Sequence, residues 1–142
     1  MSDIEFFAKI HAAPEQVYRA LTTADGIRSW WAREVNVDSR ISGTEELGHF
    51  EHRILTRIRL EELAPPVRTR WKTISSVAPG WDGTTVTFDL RAEGNCTFLS
   101  VVHSGFTNDG ETYRRTAAMW ARYLLSLHRY VEAGEGRPTR AA

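Results

Sequence analysis

Of the five histidines in this 142-residue chain, His103 is the one best placed for chemistry. It falls in the run Thr97, Leu99, Val101, His103, whose parity sends all four side chains to one face of a strand. An imidazole on an inward face can serve as a general base or as a polar anchor in a pocket wall. It can equally be a core histidine bonded to a neighbour such as Tyr123 or Thr73. No carboxylate stands where it would orient the ring, so no catalytic residue is assigned. His49-Phe50-Glu51-His52 holds three metal-type side chains. Alternation sends His49 and Glu51 to one face and His52 to the other, so three ligands cannot converge from that run. Neither a metal ligand nor a cofactor is expected. Cys96 lies at a turn without a histidine beside it, which argues against a nucleophile. There is no glycine-rich phosphate loop, Ser-His-Asp set or carboxylate pair.

The stronger signal is apolar. Trp30, Trp31, Trp71, Phe88, Phe106 and Trp120 fall on elements that should converge, and Met119, Tyr123 and Leu124 lie beside Trp120. With His103 they form the expected lining of a pocket for a flat or hydrophobic molecule, indole N–H groups acting as donors. Trp71, His103 and Trp120 would make its wall, with Trp30, Trp31 and Phe106 near its mouth. The same side chains could instead fill an ordinary core.

The elements that must position them can be read in turn. Asn108 to Gly134 has apolar residues at Tyr113, Ala117, Trp120, Leu124, Leu127 and Val131, which is helical spacing. Asn108 with Glu111 resembles a capping box, and Gly134 suits a left-handed stop. Asp3 to His11 alternates as a half-buried strand. Pro14 opens a short helix through Val17, Ala20 and Leu21; Thr22 to Gly26 breaks it, and Ile27, Trp30 and Trp31 continue a kinked pair. From Arg33 the pattern stays strand-like: Glu34 to Asp38, Thr44 to Glu51, Arg53 to Leu63 with Ile54, Ile58 and Leu60 inward, Val67 to Ile74, Thr84 to Arg91, and Thr97 to Phe106. Trp81 lies in a loop between Pro79-Gly80 and Asp82-Gly83. This order predicts an α+β fold. A curved antiparallel sheet of six or seven strands wraps a long C-terminal helix, with two short helices between strands 1 and 2. One domain is expected over residues 1–134, with 135–142 a tail.

Composition sets limits. Eighteen basic residues balance eighteen acidic ones, so no field draws the chain to nucleic acid. The arginines from Arg53 to Arg70 alternate on what reads as a solvated face, pairing with Glu51 and Glu61. No run approaches a membrane span, and a single cysteine without a signal-like start points to the cytoplasm. Phe7, Phe98 and Val102 on the outer sheet face are compatible with a homodimer.

Ala13-Pro14-Glu15-Gln16-Val17-Tyr18, Ile27-Arg28-Ser29-Trp30-Trp31, Thr84 to Leu90, His103-Ser104-Gly105-Phe106, and Trp120 with Tyr123 to Leu127 occur in this order along the chain. In that series the chain resembles the START/Bet v 1-like superfamily, and within it the branch named after activators of the heat-shock protein 90 ATPase. The resemblance implies the helix-grip fold. It leaves three functions open: binding of a small hydrophobic molecule under the helix, a co-chaperone or stress-related interaction module with a chaperone partner, and a cyclase- or hydrolase-type enzyme using His103. Fold alone does not choose among them.

Overall fold

A computed structural model describes residues 3–37, 40, 42–50, 53–106 and 110–138. The side chains of His49 to His52 and of Ile54, and the whole of Asn108, lie outside the described set. So do the expectations that rest on them.

Strand β1 (Ile4–Ile10) buries Ile4 and Ile10 and exposes Glu5, Phe7 and Lys9, as its alternation requires. Helix α1 (Pro14–Thr22) starts with proline at its first position, and Gln16 reaches back to accept from the Ala13 N–H at 3.2 Å. Helix α2 (Ala24–Trp30) follows after one extended residue, Thr23, whose hydroxyl accepts from the Gly26 N–H at 3.0 Å. The break is therefore Thr23 alone, and Gly26 lies inside α2. It is glycine because the helices touch there: a Cβ would sit 2.6 Å from the Ala20 Cα.

The chain then crosses to the far edge of the sheet and meanders back. β2 (Val35–Val37), β3 (Thr44–Phe50), β4 (Arg53–Ala64), β5 (Arg68–Ser76), β6 (Thr85–Glu93) and β7 (Cys96–Ser104) join β1 in the order β1-β7-β6-β5-β4-β3-β2. Every pairing is antiparallel. β4 carries register shifts at Arg57/Ile58 and Leu60/Glu62, and such irregularities increase local twist and bend a sheet.

Helix α3 (Gly110–Ala133), about 36 Å long, packs on β1, α1 and α2 and seats its central aromatic residues against the sheet. Its buried stripe is Thr112, Thr116, Trp120, Leu124 and Leu127, with Ser126 beside it. Tyr113, expected inward, is 40% exposed. The threonines take the first two turns because their small side chains fit under the 79–84 loop, where Thr116 bonds Trp81. Gly134 adopts φ 77°, letting the Glu135 N–H fold back on the Arg129 carbonyl. Residues beyond return toward α2: the Ser126 hydroxyl donates to the Trp30 carbonyl at 2.8 Å and accepts from the Arg137 N–H at 2.6 Å.

The described arginines of this stretch form a solvated, paired face: Arg59 meets the expected Glu61 at 3.4 Å along the same strand, while Glu51 lies outside the described residues. Arg57 meets Glu46 at 3.2 Å, Arg70 meets Glu62 at 3.1 Å, and Arg68 meets Asp89 at 3.2 Å. On the outer sheet face Phe7 is 75% exposed, whereas Lys9 and Arg91 cover the Phe98 ring at 5.8 and 5.4 Å. No helix among the described residues is long and apolar enough to cross a membrane.

Candidate functional site

The sheet and the helices bring eight of the expected residues into one aromatic cluster: Trp30, Trp31, Trp71, Phe88, His103, Phe106, Trp120 and Tyr123. Trp31 is the hub. It stacks on Tyr123 at 4.0 Å and 9°, and meets Trp30, Trp71 and Trp120 edge-on at 5.3 to 5.5 Å. Edge-to-face and offset contacts of this kind are the favourable geometries for aromatic rings. Trp30 is tied under α1 by its indole N–H, which donates to the Ala20 carbonyl at 2.7 Å. Neither Trp30 nor Phe106, both expected near a mouth, reaches an opening. Trp30 is sealed between the helices, and Phe106 packs on the His103 ring at 4.5 Å.

His103 bonds neither Tyr123 nor Thr73. The Trp120 indole N–H, which can only donate, gives its proton to His103 Nδ1 at 2.9 Å. His103 Nδ1 is therefore the acceptor and Nε2 carries the hydrogen, which it donates to the Thr84 hydroxyl at 2.7 Å. Thr84 in turn donates to the Trp81 carbonyl at 2.6 Å. Both ring nitrogens are used, and the ring has no exposed surface. Burial pushes its pKa down to about 3, because a charged imidazolium would be left without water. An imidazole fixed neutral and bonded at both ends braces the interior, and it has no route for exchanging a proton with a substrate in solvent.

Trp81, carried on the loop between β5 and β6, is a further member of the cluster. Positive φ at Gly80 and Gly83 doubles the chain back around it, and the Ser76 N–H closes the loop on Asp82 Oδ1 at 2.8 Å. The indole then lies parallel to Trp120 at 6.2 Å and donates to the Thr116 hydroxyl at 3.1 Å. Its signal was present: two turn-forming pairs bracket one large apolar side chain, immediately before an inward-facing strand residue.

The opening lies to one side of this cluster. A cleft of about 280 Å³ runs between α3 and the β3–β4 half of the sheet. Its lining includes Trp31 and Ala32, Leu47 and Gly48 of β3, Leu55 and Thr56 of β4, the 76–78 turn, and Met119, Arg122 and Tyr123 of α3. Three of the ten expected residues thus border it: Trp31, Met119 and Tyr123. Trp30, Trp71, Phe88, His103, Phe106, Trp120 and Leu124 are buried and do not line it. Leu47, Leu55 and Arg122 were not expected there. Leu47 and Leu55 come to the cleft on β3 and β4, whose register is set by pairing between strands, and Arg122 comes on α3; no local pattern carries that information. Two larger hollows, near 570 and 560 Å³, are open depressions around the C-terminal end of α3 and away from the aromatic cluster.

A family model described as activator of Hsp90 ATPase homolog 1-like protein matches residues 11–132. The chain belongs to that family. No curated protein sequence matches it. Among solved structures, the Aha1 dimer from Colwellia psychrerythraea is 28% identical with a TM-score of 0.83; the match covers 96% of this chain and 100% of that one. An HSP90 activator from Plasmodium falciparum superposes with a TM-score of 0.74 at 20% identity, over 90% of this chain and 92% of that one. CalU16 from Micromonospora echinospora gives 0.75 at 20% identity, over 93% and 77%. The last two likenesses establish fold alone. The family match and the curved seven-stranded antiparallel sheet gripping a long helix confirm the resemblance drawn from the Ala13–Tyr18, Ile27–Trp31 and His103–Phe106 segments.

Proposed function

We propose that this member of the activator-of-Hsp90-ATPase-like family binds a small, largely apolar molecule in the cleft between α3 and β3–β4. The observation that carries the reading is the Trp31–Tyr123 stack, buried at Trp31 and partly exposed at Tyr123, which forms part of a concave apolar surface with Leu47, Leu55 and Met119. Small-molecule sites are mostly apolar hollows of roughly 300 Å³ or more with a few polar groups. A cleft of about 280 Å³ suits a molecule of one or two fused rings. Arg122 and Glu34 both line the cleft, so its polar groups offer a donor for a carbonyl oxygen and an acceptor for a hydroxyl. Behind the cleft the Trp71 indole N–H is buried with no hydrogen-bond partner among the described residues, a donor available to a polar atom that enters more deeply.

The test is a thermal-shift and tryptophan-fluorescence screen of aromatic, polyketide-like and fatty-acid compounds, repeated on Met119→Trp, which fills the cleft. A ligand that shifts the wild type and fails to shift Met119→Trp supports the reading. If nothing shifts the wild type, or both proteins bind alike, the reading falls.

A second reading is favoured by the family match and by the 28% identical Aha1 structure: an interaction module for a heat-shock protein 90 chaperone. It would act through the surface, so Met119→Trp should leave it unchanged. Co-precipitation of the chaperone from the same cell, with stimulation of its ATPase, is the expected result; no complex at all excludes it. A homodimer is compatible with either reading, with exposed Phe7 on edge strand β1 as the apolar contact.

A further inference from the structure

One group of side chains plays no part in the cluster or the cleft. His11 follows β1, and His128 and Glu132 stand one helical turn apart on α3, so a chain separation of more than a hundred residues closes to contact distance. Glu132 Oε2 lies 3.0 Å from His11 Nδ1 and 3.0 Å from His128 Nε2, and the three atoms all fall within 4.8 Å of one another. We propose that His11, His128 and Glu132 bind a divalent transition-metal ion of the zinc type.

The donor set selects the ion. Two imidazole nitrogens and one carboxylate oxygen are zinc ligands, whereas calcium and magnesium prefer oxygen donors throughout. Zinc–ligand bonds of about 2.1 Å in a tetrahedral site place the donors roughly 3.4 Å apart. Two of the three separations are already close to that, and rotation of two partly exposed imidazoles closes the third. The frame beneath them is held in place. Ile10 is fully buried in β1, the Ala12 carbonyl accepts from the Thr97 hydroxyl at 2.8 Å, and α3 carries the other two ligands.

The carboxylate is also oriented. The His11 backbone N–H donates to Glu132 Oε2 at 2.6 Å, and this bond is the main cause holding the Glu132 carboxyl below the usual carboxylate range. Such outer contacts fix a ligand's direction, and on binding the ion takes the place on Oε2 that the two imidazoles hold without it. His11 faces solvent, so water completes the coordination. The ion would clamp the end of β1 to the last turns of α3. The donors come from two elements and converge.

The test uses the full chain without an affinity tag, stripped with chelator. Calorimetric titration with zinc chloride should show saturation at one equivalent, and cobalt(II) should give the visible absorption of a four-coordinate site. Glu132→Gln and His128→Ala should each weaken zinc binding by at least about tenfold. Their melting points in chelator, measured alongside, show that both variants fold. Zinc should raise the melting point of the wild type only. Absence of saturable zinc binding by the wild type, or equal affinity in both folded variants, overturns the proposal.

Discussion

His103 shows how one residue changes meaning once its neighbours are known. Parity on β7 places it inward, and that much follows from Thr97, Leu99 and Val101. What it does there depends on Trp120, seventeen residues away, and on Thr84, nineteen residues away. A pH dependence follows. The folded protein holds His103 neutral down to about pH 3, while the unfolded chain takes up a proton near 6.5. Above that range both states are neutral and the contribution is at its full value. As pH falls from 6.5 toward 3, only the unfolded state gains the proton, and stability declines by about 1.4 kcal/mol per pH unit. Urea unfolding at pH 7 and pH 5 should therefore differ by about 2 kcal/mol on account of this residue. His103→Gln should flatten the difference. Equal slopes for the two proteins would show that the ring already carries its proton in the folded state.

At the level of elements, periodicity located the strands and the helix pair, and the β2-to-β7 meander followed from short connections, whereas the pairing of β1 with β7 is a long-range contact that no local pattern carries. The errors arose where tertiary contact outweighed local preference. Gly26 reads as a helix breaker by propensity, yet it sits inside α2 because α1 passes too close for any side chain. Gly26→Ala is thus expected to destabilise by about 1–3 kcal/mol, although alanine is the better helix former. Chemical denaturation reads the sign directly, and a gain in stability would mean that the α1–α2 contact is looser than the geometry shows. Tyr113 misled in the other direction. Its spacing fits the inward stripe of α3, but the helix is rotated so that Thr112 and Thr116 face the 79–84 loop. A helix of this amphipathic width tolerates that rotation at its first turns, and the loop selects it.

For the whole molecule, the interior is divided. One part is a braced aromatic cluster; the other is an open cleft over the Trp31–Tyr123 stack. A ligand that occupies only the folded cleft stabilises the protein by mass action, about 2.7 kcal/mol at a hundredfold excess over its dissociation constant. The melting-point rise should accordingly track ligand concentration in the wild type and vanish in Met119→Trp. The sequence by itself determined the fold class, the strand sequence, the gripping helix and most of the inward aromatic residues, Trp81 and Tyr113 being the exceptions. Those follow from alternation, helical spacing and turn chemistry, all of which act over a few residues. Only the tertiary structure decided which of those aromatic residues border open space, which one braces His103, and that His11 meets His128 and Glu132. Packing volume, strand register and convergence of distant side chains are set by contacts across the chain, and short-range pattern carries no record of them.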